Sequence, residues 1–289
     1  MLKNFVHYAI IHFGGLWVML CDLHIHSDNS FDAESTVEQI CNSALNMGLD
    51  IIAITDHCEA EFINMGENCE FGSFDRQIPK SLADTREAID NYSGKLKILR
   101  GLELGEPMHD ISQTKKALAY GDFDFILASV HNLRGRDDFY YMDFDKVDIN
   151  AVLDEYFDEL IETAAFEHFD SLAHLTYPLR YIFERKNYFP DLRIFQGKID
   201  KIFSILISNN KALEINVSGL FKPMGVTLPE LPLVKRFFEL GGRYITVGSD
   251  AHTADMVGKG IKEGLEIAKQ AGFNHFTIFE NHKPVLFEI

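Results

Sequence analysis

The sequence predicts one domain of the α/β class, with β-α units arranged around a parallel sheet. Short apolar runs alternate along the chain with longer segments whose apolar residues recur at helical spacing. The length of 289 residues is common for single-domain α/β barrels. Because no internal repeat, low-complexity tract or linker rich in proline and glycine divides the chain, residues 19–289 are predicted to form a single domain.

The apolar runs predict seven buried strands, since each run is short and most are followed by a segment of helical pattern. In chain order the strands are Met19–Leu23, Ile51–Thr55, Leu96–Leu102, Phe125–Val130, Ser171–Ala173, Ala212–Val217 and Tyr244–Val247. The predicted helices are Thr36–Met47, Asn150–Phe166, Phe195–Ser208, Leu231–Leu240 and Met256–Ala271.

Capping residues support several of these helices. Ser35 is a candidate N-cap for the first helix, with Glu38 as its capping-box partner. Glycines stand where helix C-caps belong, namely Gly48, Gly241-Gly242 and Gly272. The segments Cys58–Ile78 and Asn132–Val147 are long, polar connections, and loops of that length commonly bind or cover a ligand.

The segment before the first predicted strand is apolar and resembles a secretory signal peptide in composition. It contains two histidines, is interrupted by Gly14-Gly15, has no convincing small-residue cleavage site and is short for a membrane span. We interpret residues 1–18 as an extension that the domain does not need, or as a misassigned start, because Met19 directly precedes a strand-like run.

Net charge and cysteine usage restrict the function. The formal charge of −17 repels nucleic acid and anionic membranes, so neither is an expected partner. The same field repels a phosphorylated substrate, but bound divalent cations would reverse the sign of the charge in one pocket. Cys21, Cys41, Cys58 and Cys69 show no metal-binding or disulfide spacing, which predicts free thiols in a reducing, cytoplasmic protein.

Acidic and imidazole side chains follow six of the seven predicted strands. Asp22, His24 and His26 alternate as the first strand ends, so they point to one face. The other candidates are Asp32, Asp56, His57, Glu103, His131, His174, Asp250 and His252. In a β/α barrel the carboxyl ends of the strands meet at one rim, where active sites are built. Purely structural roles would scatter these groups over both ends of the strands.

Taken singly, each group also has a structural explanation. A buried glutamate after a strand commonly forms a salt bridge, and Asp56 could cap the next helix. We expect Asp22 to orient a neighbouring imidazole rather than bind an ion. As a set, nitrogen and oxygen ligands without a thiolate pattern suit zinc, manganese or iron. Six histidines require two or three ions, and such clusters suit phosphoester hydrolysis.

The motifs H-I-H-S, T-D-H, G-L-E, S-V-H, A-H and G-S-D-A-H occur in this order and resemble those of the PHP superfamily (polymerase and histidinol phosphatase). The stretches D-F-I-L-A-S-V-H-N, H-L-T-Y-P-L-R-Y and E-I-N-V-S-G-L-F-K-P resemble its histidinol-phosphatase branch. The resemblance runs from about Met19 to the C-terminus. It implies a distorted, seven-stranded, TIM-like (β/α)7 barrel with three divalent transition-metal ions.

The resemblance also implies which residues hold each ion. His24, His26, Glu103 and Asp250 would hold the first, and Glu103 would bridge to a second ion bound by His131 and His174. Asp32, His57 and His252 would hold the third. Many relatives have histidine where Asp32 stands, which makes this third site the one that departs from the common pattern. Glu103, Asp250 and His131 are the residues expected to be catalytic.

The leading hypothesis is a phosphomonoesterase that converts L-histidinol phosphate to L-histidinol and phosphate in histidine biosynthesis. Arg180 is a candidate phosphate ligand. Relatives usually read S-G-L-R-K-P where this chain has Phe221, which leaves Lys222 as a point charge without the arginine fork. The acidic residues Asp137, Asp138 and Asp143 could attract the substrate amine.

Two alternatives remain open from the sequence: a nuclease or nucleotide phosphatase of the same superfamily, and a non-catalytic metal-binding protein. The proton for the leaving group could come from a metal-bound water, Asp32 or Asp56, and the sequence does not choose between them.

Overall fold

The computed structural model describes residues 19–60 and 74–289. The predicted extension, residues 1–18, lies outside the described residues, as does Cys69 with most of the predicted loop Cys58–Ile78. Cys21, Cys41 and Cys58 are buried free thiols, as the sequence predicts.

Eight strands form one parallel sheet, with most neighbours in chain order. They are β1 (Cys21–Asp22), β2 (Ile51–Ile54), β3 (His57–Glu59), β4 (Lys97–Gly105), β5 (Phe125–Ser129), β6 (Ser171–Leu172), β7 (Ala212–Asn216) and β8 (Ile245–Gly248). Each is short and almost wholly buried, as expected of apolar strands covered on both faces.

Main-chain hydrogen bonds connect the first strand to the last. The amide of Leu23 donates to Val247 at 3.0 Å, and the amide of Asp250 donates to His24 at 2.8 Å. These contacts nearly close the sheet, so the predicted distorted, seven-stranded barrel is confirmed. The seven positions of this barrel correspond to the seven predicted strands.

The predicted end of the third strand, Leu102, is wrong. β4 pairs with β2 over its first half and with β3 over its second half, where His57 lies opposite Glu103. The additional partner extends β4 to Gly105, so Glu103 lies inside the strand rather than after it. β3 was missed because only three residues form it, too few for a detectable periodicity.

Eight α-helices surround the sheet in the described part of the chain. They are α1 (Val37–Met47), α2 (Phe74–Asn91), α3 (Ile111–Leu118), α4 (Ile149–Ala165), α5 (Pro178–Lys186), α6 (Gln196–Ser208), α7 (Leu231–Glu239) and α8 (Ile261–Ala271). The five predicted helices are present. The sequence did not predict α2, α3 and α5, and α2 begins inside the segment interpreted as a loop.

The cap of α1 and the start of α8 differ from the prediction, while the other helix starts agree within one residue. Thr36 caps α1, with Gln39 as its capping-box partner, while the hydroxyl of Ser35 accepts from the amide of Ala254 at 2.8 Å. α8 begins at Ile261 instead of Met256, because Gly258 and Gly260 adopt φ values of +77° and +79°, outside the helical region.

An antiparallel hairpin of β9 (His275–Glu280) and β10 (Lys283–Glu288) ends the chain and was not predicted. Phe279 of β9 stacks on Phe125 of β5 at 5.8 Å, and the amide of His282 donates to Asp124. The hairpin therefore packs near the amino end of β5, away from the rim that carries the candidate ligands. In the described ranges no helix is long and apolar enough to cross a membrane.

Candidate metal centre

The rim of the barrel brings four predicted ligands together as a first ligand group, made of His24, His26, Glu103 and Asp250. Glu103 Oε2 lies 3.3 Å from His24 Nε2 and 3.5 Å from His26 Nε2. Asp250 Oδ1 lies 3.6 Å and 3.3 Å from the same two nitrogens. Ligand atoms about 2.0–2.1 Å from a tetrahedral ion are separated by roughly 3.4 Å. The four atoms are therefore spaced for one divalent ion.

The other oxygen of Glu103 belongs to a second ligand group, made of Glu103, His131 and His174. Glu103 Oε1 lies 3.2 Å from His131 Nε2 and 2.9 Å from His174 Nε2. The two nitrogens are 3.4 Å apart. One carboxylate thus serves two groups with separate oxygens, which is the bridging arrangement that the resemblance implies.

The third ligand group, made of Asp32, His57 and His252, is more open. Asp32 directs one oxygen to His57 Nε2 at 3.6 Å and the other to His252 Nε2 at 3.2 Å. The side chain of Asp32 is 41% exposed and that of His252 is 30% exposed, whereas Glu103 is fully buried. This group also includes a neighbour the prediction did not assign to it, since His26 lies within ligand range of His57 and His252.

Unsatisfied buried atoms test whether these residues fit metal ions. His24 Nε2, His26 Nε2 and Glu103 Oε2 are buried and make no hydrogen bond to the described residues. Leaving three such groups unpaired in the core costs free energy, so atoms of this kind normally have a partner. A divalent ion between them would satisfy all three, and the donor set fits a divalent-metal site.

The imidazoles and carboxylates of the site shift one another's pKa values. Burial raises the pKa of Glu103, but His24, His131 and His57 outweigh this effect and hold its pKa well below the usual range. Burial, together with His57 and His252, lowers the pKa of His26 to about 3. Burial lowers the pKa of His24, His57 and His131, but the surrounding carboxylates outweigh it and raise these pKa values well above the usual range. A divalent ion that binds there would therefore displace protons from these imidazoles.

Two buried glutamates beside the second ligand group were missed by the sequence prediction. Glu59 Oε1 lies 3.2 Å from His131 Nδ1 and 3.3 Å from His57 Nδ1. Glu106 accepts a hydrogen bond from the amide of His131. A Cβ atom on Gly105 would lie 1.7 Å from Glu59 Oε2, so the glycine provides the space for this carboxylate. The alternation H-C-E at positions 57–59 was the available signal.

Asp22 and Asp56 take roles that differ from those expected. Asp22 does not orient an imidazole; its carboxylate accepts from the amides of Ser249 and Gly258, both at 2.8 Å. Asp56 does not cap the next helix. It accepts from the amide of Ser27, and its remaining donors are hydroxyl groups of Ser27, Ser30 and Ser81. Both carboxylates therefore hold the loops that carry ligands.

Of the two predicted phosphate ligands, Arg180 contacts the first ligand group. Arg180 of α5 donates to Ser218 and to Asp250 Oδ2, the latter at 3.2 Å. Its guanidinium lies over the ring of Tyr177 at 5.5 Å, and its Nε has no hydrogen-bond partner among the described residues. Phe221 is 50% exposed at the end of a short 3-10 turn, and Lys222 after it is exposed.

Of the three acidic residues expected near the substrate amine, only Asp138 lies beside the metal centre. It forms a β-bridge with Asn132, the residue after His131, and it is half-buried. Burial raises the pKa of Asp138. Asp137 is exposed, and Asp143 pairs with Lys146 at 2.9 Å, so neither is built into the site.

Comparison with known proteins identifies relatives of the whole chain. The "Probable histidinol-phosphatase" of Thermotoga maritima is 29% identical over 263 residues, covering 90% of this chain and 95% of the relative. The "Histidinol-phosphatase" of Lactococcus lactis is 29% identical over 268 residues, covering 91% and 95%.

A crystal structure of histidinol phosphate phosphatase from Lactococcus lactis, complexed with zinc, L-histidinol and phosphate, has the same architecture. Its TM-score is 0.78 and its identity 26%, with 92% of this chain and 98% of that chain covered. The model of the PHP domain matches residues 22–218, which is more than half of the chain. This stretch contains the second ligand group in full and begins at the strand that carries His24 and His26. The chain therefore belongs to the PHP family.

Proposed function

We propose that the protein is a metal-dependent phosphomonoesterase that hydrolyses L-histidinol phosphate to L-histidinol and phosphate in histidine biosynthesis. The observation that carries the proposal is Glu103, whose two oxygens face two adjacent ligand groups. Adjacent divalent ions suit the cleavage of phosphoesters. The similarity over most of the chain to enzymes named histidinol-phosphatase supports the choice of substrate.

We assign one divalent ion to each of the three ligand groups, with zinc, manganese or iron as the metal. When bound, such ions supply an activated water and stabilise the charge that develops on the phosphoryl oxygens. Asp32 is a carboxylate in the third group, which adds a hard oxygen ligand and favours manganese or iron there. The exposure of this group supports its assignment as the weakest of the three sites.

The chain itself provides the remaining contacts to the phosphate. Arg180 is buried and held by Ser218, Asp250 and the ring of Tyr177, so its guanidinium has one orientation. Its free Nε is a donor for a phosphate oxygen, and a fixed guanidinium recognises phosphate through paired hydrogen bonds. Lys222 is exposed, and we assign it a supporting role as a point charge for the phosphate.

We assign the substrate amine to Asp138. This residue forms a β-bridge with Asn132, which directly follows His131, and its side chain accepts a hydrogen bond from the amide of Tyr140. The hydroxyl groups of Tyr177 and Tyr181 are 2.9 Å apart, and the ring of Tyr177 lies 4.9 Å from that of His131 in the second ligand group. An ammonium group is attracted by a carboxylate and by aromatic faces alike.

Neither rim acid is suited to protonate the leaving alkoxide. Asp56 accepts hydrogen bonds from four donors and is 4% exposed, so its oxygens are occupied. Burial raises the pKa of Asp32, but His57 and His252 outweigh it and hold the pKa well below the usual range. A carboxylate that stays ionised is a poor acid. Of the donors considered from the sequence, a water at the metal centre remains, and we assign this proton to it.

The alternatives have less support. The charge of −17 opposes a nucleic-acid substrate, although a small nucleotide could still enter. A non-catalytic metal protein requires closed coordination spheres, whereas the second group presents three protein ligands and the third is exposed. Free buried thiols are also consistent with the reducing cytoplasm.

A substrate panel tests the proposal. Purified protein is assayed for phosphate release from L-histidinol phosphate, several nucleotides and p-nitrophenyl phosphate, with added manganese, zinc or iron and after treatment with a chelator. We expect the highest kcat/KM with histidinol phosphate, loss of activity on chelation, and more than one equivalent of metal per chain. Preference for a nucleotide by a wide margin would contradict the substrate, and full activity with a single ion would contradict the three-ion assignment.

A further inference from the structure

We infer that Glu214 is a positioning residue that couples the first and second ligand groups. Glu214 lies in β7, which corresponds to the one predicted strand that no candidate metal ligand follows. The residue is 1% exposed. Its two carboxylate oxygens contact different groups: Oε1 lies 2.7 Å from His24 Nδ1, and Oε2 accepts from the amide of His174 at 2.8 Å. The inference rests on the metal sites of the proposed function.

The contact to His24 determines which nitrogen faces the metal. When Nδ1 donates its hydrogen to Glu214, Nε2 carries the lone pair, and Nε2 is the atom that lies 3.3 Å from Glu103. A carboxylate behind a ligating imidazole fixes its tautomer and its orientation and increases its basicity. Glu214 therefore holds His24 in the form that binds an ion.

The contact to His174 acts through the main chain. His174 has a φ of +20°, a conformation that is rare for residues other than glycine. The Nδ1 atom of His174 is buried and has no hydrogen-bond partner in the described part of the chain. The hydrogen bond from the main-chain amide of His174 to Glu214 therefore anchors this residue. By holding this strained backbone, Glu214 keeps His174 Nε2 at 2.9 Å from Glu103.

The carboxylate of Glu214 occupies space that a side chain at position 248 of the neighbouring strand would need. A Cβ atom on Gly248 of β8 would lie 2.3 Å from the Cβ of His24 and 2.7 Å from Glu214 Oε1. The contact between Glu214 and His24 therefore requires glycine at position 248. Asn216 donates a second hydrogen bond to Oε2 at 3.3 Å, so the carboxylate has three polar contacts in all.

Glu214→Gln tests the inference because an amide can accept at one end only. Its NH2 end must oppose either the amide of His174 or the Nδ1 hydrogen of His24. We expect manganese and zinc affinity, measured by calorimetry and by competition with a chelator, to fall about 10- to 100-fold. We also expect fewer equivalents of metal to remain after dialysis, with losses from both groups. This readout requires no substrate.

Asp170→Asn is the matched control. Asp170 is also a buried carboxylate, 4% exposed, that accepts from a main-chain amide, Ile126, and lies 2.9 Å from a histidine nitrogen, His282 Nδ1. It does not belong to a ligand group. We expect this variant to lose thermal stability but to keep wild-type metal affinity. Glu214→Asp keeps the charge but shortens the side chain, so it should also weaken metal binding, and it provides the same readout if the glutamine variant does not fold.

Three outcomes separate the possibilities. Wild-type metal affinity and content in folded Glu214→Gln would overturn the inference. An equal loss of affinity in Asp170→Asn would also overturn it, because the effect would then follow from general destabilisation. Absence of tight metal binding in the wild-type protein would instead contradict the proposed function, and this result is recognisable before any variant is made.

Discussion

Arg180 donates a hydrogen bond to Oδ2 of Asp250 at 3.2 Å, while Oδ1 of the same carboxylate lies 3.3 Å from His26 Nε2. The proposed phosphate ligand and the first ligand group therefore share one carboxylate. A change at Arg180 removes a donor for the substrate and also releases one oxygen of a metal ligand. Activity and metal content must be measured together to separate these effects.

Arg180→Ala should lower kcat/KM for histidinol phosphate. The loss of transition-state stabilisation should be about 1.5–3 kcal/mol, the cost of losing a charge-assisted hydrogen bond. Arg180→Lys should recover part of the loss, because lysine keeps the charge but not the planar fork. Steady-state kinetics with parallel metal analysis measures both. An alanine variant with unchanged kcat/KM would remove Arg180 from the binding site.

Glu103→Gln and His131→Ala should each abolish turnover while the fold stays largely intact, since both residues belong to the second ligand group. Phosphate release measures the loss, and circular dichroism reports the fold. His168→Ala is a control, because this histidine is exposed and outside the three ligand groups. Near-wild-type turnover with normal metal content in either site variant would show that the assignment is wrong.

Phe221→Arg should raise kcat/KM for histidinol phosphate, because it restores the arginine that relatives usually carry at this position. The side chain is half exposed, so the larger polar group requires little repacking. Kinetics on histidinol phosphate and p-nitrophenyl phosphate are compared for both proteins. Weaker turnover of histidinol phosphate in the variant, with a better alternative substrate for the native protein, would identify phenylalanine as a specificity element for another phosphoester.

His282 should make stability depend on pH at the opposite end of the barrel. The hydrogen bond to Asp170 raises the pKa of His282, and burial opposes this effect only in part. The contribution is therefore fully present below the unfolded pKa of about 6.5 and is lost as the pH rises through the higher folded value. The difference in Tm between wild type and His282→Asn should be larger at pH 5.5 than at pH 9. Equal differences at both pH values would exclude a charged pair.

The positions of the candidate metal ligands could be predicted because the signal is local. His24 and His26 alternate just after the first strand, and the acidic groups follow apolar runs whose carboxyl ends must share a rim in a parallel barrel. Arg180 was selected as a candidate phosphate ligand in the same way, since it follows the fifth predicted strand closely. Neither inference requires knowledge of which residues meet across the chain.

The supporting carboxylates could not be predicted because their roles depend on distant partners. Glu214 contacts His24 across 190 residues of sequence, and Asp22 contacts Ser249 across 227 residues. The role of Glu59 depends on the pairing of β3 with β4, which only the three-dimensional structure shows. For each of them, a salt bridge or a helix cap was an equally reasonable interpretation of the residue type.

The first ligand group lies where β1 and β8 meet and close the sheet, so it also affects the stability of the barrel. His24 and His26 follow the first strand of the barrel and Asp250 follows the last, beside the main-chain hydrogen bonds that close the sheet. An ion held by these three residues would be a reversible crosslink between the two ends of the domain. A ligand that binds only the closed form at one hundred times its Kd adds about 2.7 kcal/mol to the stability of that form. The supply of free metal would therefore shift the folding equilibrium of the barrel, and a shortage would act on the amount of folded protein as well as on catalytic rate.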